Sequence, residues 1–232
     1  MDALLDRASV EGLRFFGRMS ASISHELKNT LSIMNENAGL LEDLALLAEQ
    51  GKTLDASRVK DLGSAIKRQI RRTDLIIRNM NRFSHTVDQP LAEVEVAEFL
   101  EFILDVSRRL TAARGVAVTV HSEGQSLMIV TRPFFLHTLV WLLLEFGMEQ
   151  VGKSGTLTLK PRKAASGAWI RLAGFERLTP EAGRNLPGEQ EEMLLTLLEA
   201  QLEMDFEQQA LDLFLPKKIH DASLRGSASA TS

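Results

Sequence analysis

Apolar residues recur at steps of three or four through the first part of the chain. Phe16, Met19, Ile23, Leu27, Leu31, Met34, Ala38 and Leu41 form one stripe of a helix. Between residues 7 and 49 there is no proline and the glycines are Gly12, Gly17 and Gly39, so the spacing predicts one long helix over 7–49. Gly51-Lys52-Thr53-Leu54-Asp55 breaks it. Asp55 or Ser57 can cap a second helix, whose stripe runs Val59, Leu62, Ile66, Ile70, Thr73, Ile77, Met80 and Phe83 and ends before Asp88-Gln89-Pro90. Two such helices joined by a short break make an antiparallel hairpin.

A hairpin of this length leaves an apolar face about 40 Å long open to water, at 1.5 Å per residue. Pairing two hairpins into a four-helix bundle buries that face, so the pattern favours a homodimer.

After Pro90 the period changes. Glu93 to Val96 alternates like a short strand, Ala97 to Ala112 is helical, and Val116 to His121 alternates again. Ser126 to Val130 reads as a strand before a strongly apolar helix, Pro133 to Gln150. Gly155 to Lys160 and Ala168 to Leu172 read as a strand pair, Glu189 to Leu202 as a helix, and Glu203 to Phe206 with Leu211 to Leu215 as a closing hairpin. The fold class is α+β, a helical hairpin over 1–88 followed by a mixed α/β sandwich over 91–219. Residues 220–232, ending Gly-Ser-Ala-Ser-Ala-Thr-Ser, read as a disordered tail.

Composition narrows the function. A net charge of -4 and a pI near 5.8 give no general attraction to nucleic acid. With no cysteine, thiol catalysis, disulfides and cysteine-ligated zinc are excluded, and the five scattered histidines are poorly placed for a metal site. The amino terminus carries acids and lacks a signal-peptide core, and the most apolar window, Phe134 to Phe146, contains His137 and Glu145 and is too short to span a bilayer. The expectation is a cytoplasmic protein with no membrane partner.

One histidine stands apart. At about 100° per residue, His25 lies roughly 200° from both Ile23 and Leu27 and points away from the apolar stripe. Ala21, Ser22, Asn29 and Ser32, all small or short and polar, line its own face, and Glu26 follows it directly. The word Ser24-His25-Glu26-Leu27-Lys28-Asn29-Thr30-Leu31, inside a long helix followed by a second amphipathic helix, resembles the H-box of two-component sensor histidine kinases and histidine phosphotransferases. The resemblance is close over 13–86 and fainter to about 219, where the order of elements and the ending Leu213-Phe214-Leu215-Pro216 are similar to the histidine-kinase ATP-binding domain.

Three elements of that family's nucleotide site are missing. The helix that would carry magnesium-holding asparagines reads Leu139-Val140-Trp141-Leu142-Leu143-Leu144-Glu145-Phe146-Gly147. Neither Trp141 nor Phe146 offers the oxygen ligands magnesium needs; Glu145 offers one carboxylate, which reads better as the helix's polar side. The Asp-x-Gly-x-Gly turn is replaced by Ala173-Gly174-Phe175-Glu176-Arg177, and the glycine-rich lid by Asn185-Leu186-Pro187-Gly188-Glu189.

The resemblance therefore implies a histidine phosphotransferase that binds no cofactor itself. His25 is the phosphoacceptor, exchanging a phosphoryl group with an aspartate of a response-regulator receiver domain that carries its own magnesium. Glu26 orients or deprotonates the second ring nitrogen. Asn29 completes a Glu-x-x-Asn spacing that some members use to position a water for phosphatase activity. Imidazole titrates near pH 6.5, so at neutral pH it offers an unprotonated nitrogen nucleophile. Thr30 stands where the family commonly has proline, which removes a kink. The second helix is rich in base (Lys67, Arg68, Arg71, Arg72, Arg78, Arg82), a solvated face or a steering surface for an acidic receiver. His85, near the level of His25 if the chain turns near residue 53, reads as a surface residue. Two alternatives stand beside this reading: a sensor histidine kinase with a divergent nucleotide site, and a non-catalytic pseudokinase scaffold that docks a response regulator.

Overall fold

The computed structural model describes residues 2–122, 124, 126–152 and 155–220. The expected tail over 221–232 lies outside the described residues. Within them, the segments up to Phe16 and from Thr86 onward form one compact unit and Gly17–His85 the other.

Gly17–His85 is a helical hairpin made of most of α1 (Asp2–Glu49) and all of α2 (Ala56–His85). Asp55 is the α2 cap. Its Oδ1 accepts from the Ser57 hydroxyl at 2.7 Å, the Ser57 N–H at 2.9 Å and the Arg58 N–H at 3.4 Å, as an N-cap carboxylate does for the orphan donors of a first turn. These bonds, the Ser57 hydroxyl first among them, hold the carboxyl below its ordinary range. The two helices run antiparallel, with Thr73 bonded to Thr30 and Arg72 to Glu26. Met19, Ile23, Thr30 and Leu44 of α1 and Leu62, Ile76 and Phe83 of α2 are buried at matching levels of that register.

The single apolar stripe expected on α1 resolves into two seams. Ile23 and Met19 are buried, Leu27 is half-buried, and Leu31 is 57% exposed. A row stepping by four and three through Leu27, Leu31, Met34, Ala38, Leu41 and Ala45 drifts off the intrachain seam, as a heptad row does on a 3.6-residue helix. On α2, Ile70 and Ile77, seven residues apart, are likewise 47% and 43% exposed.

The other unit is the α/β sandwich. Its elements are β1 (Ala92–Glu95), α3 (Val96–Ala113), β2 (Ala117–Val120), β3 (Met128–Thr131), α4 (Pro133–Gln150), β4 (Thr156–Ala164), β5 (Gly167–Ala173), α5 (Pro180–Gly183), α6 (Glu189–Leu197), β6 (Gln201–Asp205) and β7 (Ala210–Pro216). A five-stranded sheet has the order β2-β4-β5-β7-β6, with β2 and β4 parallel and the remaining pairs antiparallel; β1 and β3 form a separate antiparallel pair. Register aligns Leu159, Leu172 and Leu211 on the buried face of the large sheet and Lys160, Arg171 and Asp212 on the other. Helix α4 buries most of its length, including Leu136, Leu139, Trp141 and Leu144, and lacks a Cβ at Gly147 where Leu157, Leu172 and Phe175 come closest. On the polar face, the Arg171 guanidinium bonds Asp212 at 2.6 and 3.0 Å and Asp205 at 2.9 Å. These bonds, that to Asp212 first, raise its pKa against the opposing effect of burial.

The first turns of α1 pack with the sandwich, whereas the sequence placed all of 1–88 in the hairpin domain. Gly12 lies under the Phe134 ring, so close that a Cβ there would meet Phe134 Cε1 at 2.4 Å, and the Phe15 and Phe134 rings are 6.3 Å apart. Arg7 pairs with Glu189 at the start of α6.

Two boundaries differ from expectation. Helix α6 ends at Leu197, not 202, because Glu199 adopts a left-handed backbone (φ 50°) and residues from Gln201 pair with β7. The Glu199 carboxylate accepts the His220 backbone N–H at 2.8 Å and meets the His220 ring at 2.8 Å, so His220, assigned to the tail from sequence, is held against the fold. Short helix α5 was not anticipated, although Thr179 caps it and Pro180 opens it.

Candidate functional site

His25 lies within α1, which continues unbroken for 24 residues beyond it. Its side chain is exposed, and so are Ala21, Asn29 and Ser32 around it. Ser22, expected on the same open face, is 3% exposed. Three residues before His25, it is turned about 60° toward the side on which α1 meets α2.

Glu26 sits on that side. Its side chain is 16% exposed, and its Oε1 accepts a 2.9 Å hydrogen bond from Arg72 Nη2 across the hairpin. Glu26 Oε2 has no partner among the described residues, and no hydrogen bond links Glu26 to His25. One turn further, Thr30 is fully buried; its hydroxyl donates to Leu27 O at 2.8 Å and accepts from the Thr73 hydroxyl at 2.9 Å. A proline at residue 30 would have no hydroxyl and would interrupt the helix, so Thr30 serves as a cross-link where a kink would otherwise stand.

The arrangement offers an accessible ring nitrogen on a rigid helix, a carboxylate on the next residue held by a cation, and an exposed amide at i+4 on the same face. An imidazole so placed can take up and release a group carried by a large partner. Arg72 is the member that sequence reasoning did not single out. It is one of eight lysines and arginines on the second helix, and only the pairing of the helices selects it. That register also moves His85. Counted from Thr30–Thr73, residue 25 stands opposite about residue 78, so His85 lies about seven residues, or roughly 10 Å, beyond the level of His25.

In the sandwich, α4 carries Trp141 buried (1% exposed) and Phe146 half-buried, and Glu145 accepts from Arg114 at 3.2 Å. The segment between β5 and α6 turns its apolar side chains inward: Phe175, Leu178 and Leu186 are all buried, and Phe175 meets Phe146 with ring centres 6.3 Å apart. Gly174 has φ 108°, and a Cβ there would lie 2.1 Å from Thr156 O, so only glycine lets this segment leave the sheet so tightly. Among the described residues no group of three or more histidine, aspartate and glutamate side chains is placed to hold a metal ion. Among the described residues no helix is long and apolar enough to cross a membrane.

No protein-family model matches the sequence, and no curated protein matches it. Several solved structures are similar to it. The catalytic domain of histidine kinase ThkA is 10% identical, with 55% of this chain and 96% of that one covered and a TM-score of 0.47. Histidine kinase AdeS of Acinetobacter baumannii is 10% identical, over 83% of this chain and 98% of that one, at 0.47. ThkA in complex with the response regulator TrrA is 12% identical, over 88% and 63%, at 0.46. These are histidine kinases.

Proposed function

We propose that this chain is a phosphorelay protein of two-component signal transduction, in which His25 accepts a phosphoryl group from one receiver-domain aspartate and donates it to another. The observation that carries the reading is the exposed His25 on an unbroken helix, beside an Arg72-held Glu26 and an exposed Asn29. In the accepting step, the unprotonated ring nitrogen attacks phosphorus in line, the N–P bond forms, and the P–O bond to aspartate breaks with its electron pair leaving on the carboxylate. The ring proton stays on the other nitrogen, where Glu26 Oε2 is available to hold it. The donating step is the reverse. Asn29, one turn along, is the residue to position a water should the phosphoryl group be hydrolysed instead.

The working form is a homodimer. The row from Leu27 to Ala45 with Ile70 and Ile77 gives a second apolar seam on the hairpin, and a second copy of the hairpin is the occupant that turns it into a four-helix bundle. Phosphoryl groups come from proteins and not from ATP bound here. In support, the positions where the family carries asparagines, an aspartate turn and a glycine lid hold buried Trp141, buried Phe175 and buried Leu186.

A receiver domain charged with labelled phosphate through acetyl phosphate, then mixed with this chain, tests the reading. Label is expected on the wild type and not on His25→Ala. Label on neither overturns relay and leaves the scaffold.

A further inference from the structure

Arg72 lies on the second helix, 46 residues from Glu26 in sequence, yet it is the group that engages the carboxylate next to His25. We infer that Arg72 is a positioning residue for phosphoryl transfer at His25, acting through Glu26 by neutralising that carboxylate and fixing its orientation. The inference rests on the proposed phosphoacceptor role of His25.

A phosphoryl group on His25 brings close to two negative charges beside residue 26. An unpaired carboxylate there repels the incoming group, and at such short range the repulsion is screened only partly by solvent. Arg72 cancels it. The 2.9 Å bond takes only Oε1 and leaves Oε2 without a protein partner among the described residues. Geometry also favours a guanidinium over an ammonium, since arginine's fixed fork reaches across the helix pair while its side chain remains about half exposed and able to follow the carboxylate. Glu26, at 16% exposure, is the more confined member, and so its charge is the one left uncompensated if the arginine is lost.

No other basic side chain is seen bonded to Glu26 among the described residues, which sets Arg72 apart from Lys67, Arg68, Arg71 and Arg78 on the same helix. Substitution at an exposed position such as this leaves the buried seam of the hairpin untouched.

The test uses phosphoramidate, a small donor whose P–N bond breaks with release of ammonia as the histidine N–P bond forms, so that no receiver surface enters. Phosphohistidine formation is followed in the full chain as wild type, Arg72→Gln, Glu26→Gln and the double variant, with far-ultraviolet circular dichroism confirming that each is folded. Arg72→Gln should slow the reaction about fivefold, the scale of one like-charge contact at about 4 Å screened by bulk water. In the Glu26→Gln background the same change should have little further effect, because the charge it compensates is gone. Arg72→Lys should recover part of the rate. An Arg72→Gln rate equal to wild type overturns the inference, and so does an equal loss in both backgrounds. A wild type that forms no phosphohistidine at all, with phosphoramidate or with a charged receiver, instead overturns the phosphoacceptor reading beneath it.

Discussion

The Thr73 hydroxyl donates a 2.9 Å hydrogen bond to the Thr30 hydroxyl, which in turn donates to Leu27 O at 2.8 Å, joining the two helices of the hairpin five residues beyond His25. Thr30 is fully buried, so this is a satisfied polar pair inside an apolar seam.

Removing one member strands the other. Thr30→Val keeps the shape but deletes the acceptor, and should destabilise the hairpin by about 1–2 kcal/mol in denaturant unfolding. Thr30→Val with Thr73→Val should cost less than the sum of the two single changes. Additive costs would mean that the bond contributes nothing.

The second seam makes a claim about assembly. Leu31, Ile70 and Ile77 are 57%, 47% and 43% exposed in the single chain. Sedimentation should show a dimer for the wild type and a shift toward monomer for Ile70→Lys, which would place a charge in the bundle core. A monomeric wild type at micromolar concentration would contradict the four-helix bundle.

Asp55 gives the hairpin a pH dependence. Hydrogen bonds from Ser57 and Arg58 hold its carboxyl below the ordinary value, so the folded state favours the ionised form. A depressed folded value places the contribution fully above the unfolded value, near 4, and removes it as pH falls through the lower folded value. Wild-type stability should therefore decline in acid more steeply than that of Asp55→Asn, which keeps a capping side chain without the charge. Parallel acid profiles for the two proteins would exclude the cap as the cause.

Nucleotide is the third partner to test. Calorimetric titration with ATP and magnesium should give no saturable heat, because Phe175, Leu178 and Leu186 fill the segment between β5 and α6. Clear saturation would restore the divergent kinase.

Much of this architecture could be read from the chain. Periodicity located both long helices, the break at 51–55 and most of the strands, because each buries one face continuously and the alternation is therefore written in the residues. What escaped depends on pairing. The α1 row from Phe16 to Leu41 looked like a single stripe, and only the packing of α2 separates the buried Ile23 from the exposed Leu31. Gln201 and Leu202 read as the end of a helix, yet a free sheet edge at β7 captures them as strand. Nothing in the helical period marks Gly12 as the spot on which Phe134 rests. At the candidate site, His25, Glu26 and Asn29 are neighbours on one helix and so were legible. Arg72 comes from the other helix, and its selection among eight similar cations required the register.

The central claim is that His25 carries the phosphoryl group. After incubation with a charged receiver, the chain should show one phosphate, mapped by mass spectrometry to residue 25 and giving the phosphorus resonance of a phosphoramidate that is lost in acid and stable in alkali. Phosphate on any other residue, or none on a chain that remains folded, would contradict it.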